Sequence, residues 1–253
     1  MNSQPNPADN QPLHRRPIPK ALLPDAIAAA NRAEAAQPQA FFDDFAEAVT
    51  VYRDAAIWLV DKPAGLLSVD GKDLKVSMQA RLLKADPSVK LVHRLDMDTS
   101  GLLIFARSGA AQTHLAKQFI ARIPQKCYQA LVFGTLTGKG SVDAPVRYEP
   151  TLKPKHIVDH DWHKPALTHY TALHHELRQG QPITRVALEP VTGRSHQLRV
   201  HMLHRGHVML GDPIYAEGLA QSLAPRLCLH AHTLALNHPD TGAWMEWASP
   251  VPF

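Results

Sequence analysis

The sequence predicts an α+β fold built on a mixed, mainly antiparallel sheet with flanking helices. From Ala55 onward, short apolar or alternating runs are punctuated by Gly, Pro and Asp, and several lie close enough together to pair as hairpins. In the same region only two stretches carry a pronounced helical stripe.

The elements follow in chain order. In residues 1–48, Pro5, Pro7, Pro12, Pro17, Pro19 and Pro24 interrupt a polar stretch, which predicts a mobile N-terminal extension. An alanine-rich run over 26–36 predicts one short helix there, and His14, Arg15, Arg16 and Lys20 leave a basic arm as a second use of the tail. Residues 49–253 are predicted to form one domain. Its first strand is expected at 57–60, running into the turn Asp61-Lys62-Pro63-Ala64-Gly65, and the continuous apolar run at 102–106 predicts a strand buried on both faces. Further strands are expected at 128–133, 169–173, 184–188, 227–236 and 243–247, the last two joined through Pro239-Asp240-Thr241-Gly242. Ala111, Leu115, Phe119 and Ile123 mark one helix; Leu198, Met202 and Leu203 mark another that should end at Gly206.

Composition narrows the class. A chain of 253 residues can bury a substantial core, and 45% hydrophobic with 20% charged residues is ordinary for a soluble globular protein. The 27 Lys and Arg against 23 Asp and Glu give +4, with 16 histidines in reserve, so a polyanionic partner is admitted but not required. Two distant cysteines, Cys127 and Cys228, exclude a disulfide framework and a four-cysteine zinc site. No apolar run reaches the roughly 18 residues of a membrane span, so a cytoplasmic location is expected.

Three segments hold the informative polar residues. In the first, His93-Arg94-Leu95-Asp96-Met97-Asp98-Thr99-Ser100 leads into an apolar strand, so Asp96 can sit as a reactive carboxylate on a rigid edge, although an aspartate there is more often a turn residue. Asp98 is assigned to the solvated side of the loop, because two carboxylates in one pocket repel. In the second segment, Arg194 follows Gly193 ahead of a helix and offers a fork for a carboxylate, while His196 and Arg199 are expected on a helical face open to phosphates. In the third, Lys126-Cys127-Tyr128 opens a strand and supplies a flat ring, which on its own fits ordinary packing equally well.

Taken together, HRLDMDTSGLLIFA, KCYQALVFG, EPVTGRSHQLRVHM and RLCLHAHTLAL, with DKPAGLLSV and HVMLGDPIYA, resemble the RluA-type pseudouridine synthases from about Ala55 to Phe253. The resemblance is to the short branch without an S4-type module. It implies a catalytic fold of sheet, helices and loops around a central cleft, and an isomerase that turns uridine into pseudouridine without metal or organic cofactor. It further implies RNA as the partner, a tRNA anticodon stem-loop, a 23S-type rRNA stem-loop or both, with no obligate protein partner and a monomeric enzyme. By motif position, Asp96 corresponds to the catalytic carboxylate, Arg194 to its arginine partner and Tyr128 to the ring that stacks on uracil. Arg94 corresponds to the side chain that fills the gap left by a flipped nucleotide, and Leu229 to an apolar wall. His93, Lys126, His196 and Arg199 complete the expected substrate-binding set. Cys228 departs from the aliphatic residue common at its position.

Three rival functions are weaker. A glycosidase normally needs a carboxylate pair, whereas these segments offer a carboxylate with an arginine. A metal-dependent hydrolase built on His201, His204 and His207 or on His230 and His232 lacks both HExxH and a carboxylate cluster. A silent RNA-binding protein would not need Asp96, Arg194 and Tyr128 together.

Overall fold

The structure is a computed structural model that describes residues 24–253; the expected N-terminal tail with its basic residues lies outside the described residues. The alanine-rich run forms α1 (Pro24–Ala35). A second helix, α2 (Gln39–Val49), has no counterpart in the sequence expectations: it buries Phe42, Phe45 and Ala46, and reaches across the expected domain boundary at 48/49. Arg81 locks α1 down by gripping Glu34 through two hydrogen bonds of 2.6 and 2.7 Å, and its guanidinium lies over the Phe45 ring.

Ten strands make one sheet: β1 (Thr50–Arg53), β2 (Ile57–Lys62), β3 (Lys90–Leu91), β4 (Ser100–Ala106), β5 (Gln125–Phe133), β6 (Lys139–Asp143), β9 (Leu167–Arg178), β10 (Gln181–Pro190), β11 (Leu229–Asn237) and β12 (Trp244–Ala248). Their order is β1-β2-β4-β11-β5-β10-β9-β6, with β12 on β11 and β3 on β4. Among these pairs only β4 with β11 is parallel. A separate two-stranded arm joins β7 (Val146–Tyr148) to β8 (His156–Val158). The hairpin between β9 and β10 turns on Gln179 and Gly180, both with positive φ (49° and 74°), the two-residue geometry that matches the right-handed twist of the strands.

The expected double burial of β4 is met, since every residue from Ser100 to Ala106 is buried. On one face Trp58, Val60, Leu103 and Phe105 pack with Phe45 and with Met78 and Leu82 of α3 (Met78–Ala85). On the other, Ile57, Leu59, Leu102 and Ile104 meet Ala111 and Leu115 of α4 (Gly109–Ile120). α4 begins at Ser108, whose Oγ accepts the Ala111 N–H at 3.0 Å. It stops before Ile123, which is 42% exposed rather than on the buried stripe. The second expected helix is α5 (Gln197–His204), and the Gly206 and His207 N–H groups reach back to Leu203 and Met202 as it ends. Gln197 through Met202 are all buried, while Leu203 points outward, so α5 is enclosed on nearly every side instead of carrying a single stripe.

Two devices hold β4 where it delivers its preceding loop. Gly101 has φ +110°, and a Cβ there would come within 2.4 Å of the Ala231 carbonyl oxygen, so this register of β4 against β11 requires glycine. Beside it runs a hydrogen-bonded chain: Arg226 donates to Ser100 Oγ (3.0 Å), Ser100 to His230 Nδ1 (2.9 Å), His230 Nε2 to Ser249 Oγ (3.1 Å), and Ser249 to the Asp61 carboxylate (2.6 Å). A carboxylate can only accept, which fixes the direction of every proton along the chain and the tautomer of His230.

Candidate active site

Asp96 lies in the loop between β3 and β4, and the segment after β2 clamps that loop. Ser68 Oγ donates to the Leu95 carbonyl (2.7 Å) and accepts the Leu95 N–H (3.0 Å), while Gly65 N–H reaches the Met97 carbonyl at 2.9 Å. Fully buried Lys62 directs its Nζ at the carbonyls of Pro63, Leu66 and Met97, at 2.9, 2.8 and 3.0 Å. Burial pulls its pKa down to about 7 against the opposing pull of Asp98 and Asp96, and three carbonyl acceptors match the three protons of an ammonium. Sequence reasoning treated this lysine as part of a turn.

The arginine facing Asp96 is Arg199, not Arg194. Arg199 Nη1 is 3.8 Å from Asp96 Oδ2, and the rest of its guanidinium forks onto Asp212 at 2.7 and 2.6 Å. At 1% side-chain exposure it is closed to phosphates, which corrects its expected place on an open helix face. Arg194 precedes α5 and turns away, its Nε donating to the Pro165 carbonyl at 3.2 Å. The reason is local: Gln197 ties down the turn, accepting the Arg194 N–H and donating to Leu167 O and Thr168 Oγ1, so the side chain two positions later, on the first full turn of α5, reaches the Asp96 loop. Asp212 also accepts the N–H groups of Ile214 and Tyr215, and these bonds with Arg199 outweigh burial to hold its pKa below the usual carboxylate range. Asp212 and Tyr215 were missed by sequence reasoning, although both fall within the HVMLGDPIYA match.

The other expected residues divide between pocket and scaffold. Asp96, Arg94, Lys126, Tyr128, Arg194 and Leu229 line one cavity of about 250 Å³. Tyr128 is half-buried, and burial followed by the Asp96 charge pushes its phenol pKa up. Arg94 is exposed at the rim, and Leu229 is buried in the wall. His196 adopts a left-handed φ of 56° at the start of α5. Its Nδ1 accepts from the Tyr215 hydroxyl (2.7 Å), which in turn accepts the His156 N–H (2.8 Å), and burial pushes its pKa down to about 4. His93 contributes to scaffold as well as to lining: its ring stacks on Phe119 at 4.7 Å and its Nε2 accepts the Ile104 N–H at 3.2 Å. Asp98 is half-buried rather than solvated, and its charge acts on Lys62. Of the histidines offered as metal ligands, His201 bonds to Thr168 and Ala144, His207 to Phe133, His230 to Ser100 and Ser249, and His232 to Ser249, and among the described residues no group of three or more His, Cys, Asp or Glu could hold a metal ion.

A carboxylate on a clamped loop, opposed by a buried arginine and overlooked by an aromatic ring, is an arrangement of the kind enzymes use on flat, partly apolar groups. Sequence comparison makes this specific. Residues 56–204 match the RNA pseudouridylate synthase family, and the chain belongs to that family. It is 44% identical over 206 residues to the dual-specificity RNA pseudouridine synthase RluA of Pasteurella multocida, covering 80% of this chain and 93% of that one. The same enzyme of Escherichia coli K12 is 43% identical over 208 residues, covering 81% and 94%. Among solved structures, human RNA pseudouridylate synthase domain containing 1 superposes with a TM-score of 0.71 at 30% identity, covering 81% of this chain and 84% of that one. Human RNA pseudouridylate synthase domain containing 4, at 22% identity and TM-score 0.64, shares the fold. The chain is thus an RNA-modifying isomerase.

Proposed function

We propose that Asp96 is the catalytic carboxylate for converting specific uridines to pseudouridine in tRNA anticodon stem-loops and in a stem-loop of large-subunit rRNA. The relatives' dual specificity supports two RNA classes. The reaction breaks N1–C1′, turns the uracil, forms C5–C1′ and moves the C5 proton to N1, so no atom is gained or lost. Asp96 acts on the ribose, as nucleophile or as base, and Arg199 is the fixed positive charge that positions it. The target nucleotide leaves its stack to enter the pocket, Tyr128 lies against the uracil, Leu229 forms the apolar wall, and Arg94 takes the vacated space. Lys126 and Arg194 serve phosphates at the rim, while His93 and His196 shape the walls. We further infer a monomer acting in the cytoplasm without a protein partner; among the described residues no helix is long and apolar enough to cross a membrane.

The observation that carries this reading is Asp96 beside Arg199, 3.8 Å away, in the lining of a 250 Å³ pocket shared with Tyr128 and Leu229. Pseudouridine mapping in cells lacking the protein tests it: sites in tRNA and rRNA should disappear, return with the wild-type chain, and stay absent with Asp96→Asn. Unchanged maps would refute the assignment.

A further inference from the structure

Beyond Tyr128 the uridine pocket opens into a larger cavity. It measures about 800 Å³ against 250 Å³ for the first, and the two share Arg94, Lys126, Tyr128 and Arg194. The larger space is about three times the smaller, so it has room beyond what the uridine pocket itself holds. Its floor is open sheet near Thr233 and Ala235, and its rim is the turn from α4 into β5.

That turn is a helix ending: Arg122, at φ 58°, closes α4 with its N–H on the Phe119 carbonyl (3.2 Å) and the Ile123 N–H on the Gln118 carbonyl (3.0 Å), which holds the Arg122 backbone in place on the rim. The side chains of Arg122 and of Arg94 make no hydrogen bond or ion pair among the described residues, and both are exposed. Lys126 is half-buried beside them, also without a side-chain partner there, and burial lowers its pKa, a cost that an arriving anion would offset. Ile120, 82% exposed, adds an apolar surface on the same rim. Two acidic side chains, Glu189 and Glu246, line the cavity as well, beside the basic Arg94, Arg122, Lys126 and Arg194.

We propose that this cavity holds the unpaired nucleotides flanking the target uridine, with Arg122 and Lys126 on their phosphates and Ile120 against a base. The inference rests on the isomerase reading and extends it to a second binding site on the same RNA strand. Continuity with the uridine pocket selects the occupant, since nucleotides next to a flipped base must leave along its rim. The unpartnered cations select a phosphate backbone over an uncharged ligand.

The test measures binding apart from turnover. In the full-length Asp96→Asn chain, unmodified tRNA and large-subunit rRNA stem-loop transcripts are titrated over a range of salt. Arg122→Gly removes the charge while suiting the backbone, so the fold is kept. It should weaken binding about tenfold and reduce the salt slope by about 1, and Arg122→Lys should restore both. With Asp96 intact, Arg122→Gly should raise KM and leave kcat at saturation unchanged. A 4-thiouridine beside the modified position should crosslink to residues 119–126. Equal affinity and slope for Arg122→Gly, or crosslinks confined to other segments, would overturn the second site while leaving the isomerase reading intact. Weakened binding as described, in a wild-type chain that forms no pseudouridine, would overturn the isomerase reading and leave the groove.

Discussion

Charge is handled in opposite ways on the two sides of Tyr128. Around Asp96 the charges are internal and answered: Arg199 by Asp212 and Asp96, and Lys62 by three carbonyls and the nearby carboxylates of Asp98, Asp96 and Asp61. In the groove beyond, Arg94, Arg122 and Lys126 have no side-chain partner among the described residues. The first arrangement fixes geometry before substrate arrives, as a chemical step requires; the second leaves its binding capacity for an incoming polyanion.

The largest test of this contrast is Asp96→Asn, which should lower pseudouridine formation at least about 1000-fold with little change in RNA affinity or melting temperature, read by single-turnover conversion beside a binding titration. Asp212→Asn should be nearly as damaging to activity and should also destabilise the fold by about 3 kcal/mol, since it strips a buried arginine of its main counterion. Urea titration measures that loss, and an unchanged midpoint would show that Arg199 does not depend on Asp212. Tyr128→Ala should cost about 10- to 100-fold through lost base stacking, whereas Tyr128→Phe, which keeps the ring, should stay within about tenfold; equal losses would assign the role to the hydroxyl.

Stability against pH probes the buried histidines. Burial pushes the pKa values of His93, His196 and His230 down to about 3, 4 and 4. An unfolded imidazole titrates near 6.5, so the unfolded chain takes up these protons first. Their contribution is therefore complete above about pH 6.5 and declines as pH falls, toward about 4 for His196 and His230 and about 3 for His93. Melting temperature should drop over that window, and His230→Gln should flatten the drop; a slope unaltered by that change would remove His230 from the account.

Much of this fold was legible because strands such as β2 and β4 are short, continuously apolar and bounded by turn residues. α2 was not, because its buried face rests on a few aromatics inside a polar, proline-flanked stretch, and the short arm strands β7 and β8 bury too little to leave a pattern. Asp96, Tyr128 and Leu229 could be nominated for the pocket through the motifs that carry the family resemblance, since taken singly the aspartate reads as a turn residue and the tyrosine as packing. The arginine could not: Arg194 and Arg199 sit in one motif, and what separates them is Asp212, which is distant in sequence and adjacent only after folding. Lys62 was hidden for a related reason, since its partners are backbone carbonyls that leave no trace in side-chain identity.

The hydrogen-bonded chain from Arg226 to Asp61 has a polarity, like a row of dominoes all leaning one way. Adding a proton to His230 Nδ1 would take away the acceptor of the Ser100 hydroxyl, whose oxygen would then accept from both Arg226 and His230 and leave its own hydrogen without a partner in the chain, at the first residue of β4. Acid would then reach the Asp96 loop through its downstream anchor rather than through the carboxylate itself, making Ser100 the place where the reacting loop first comes loose.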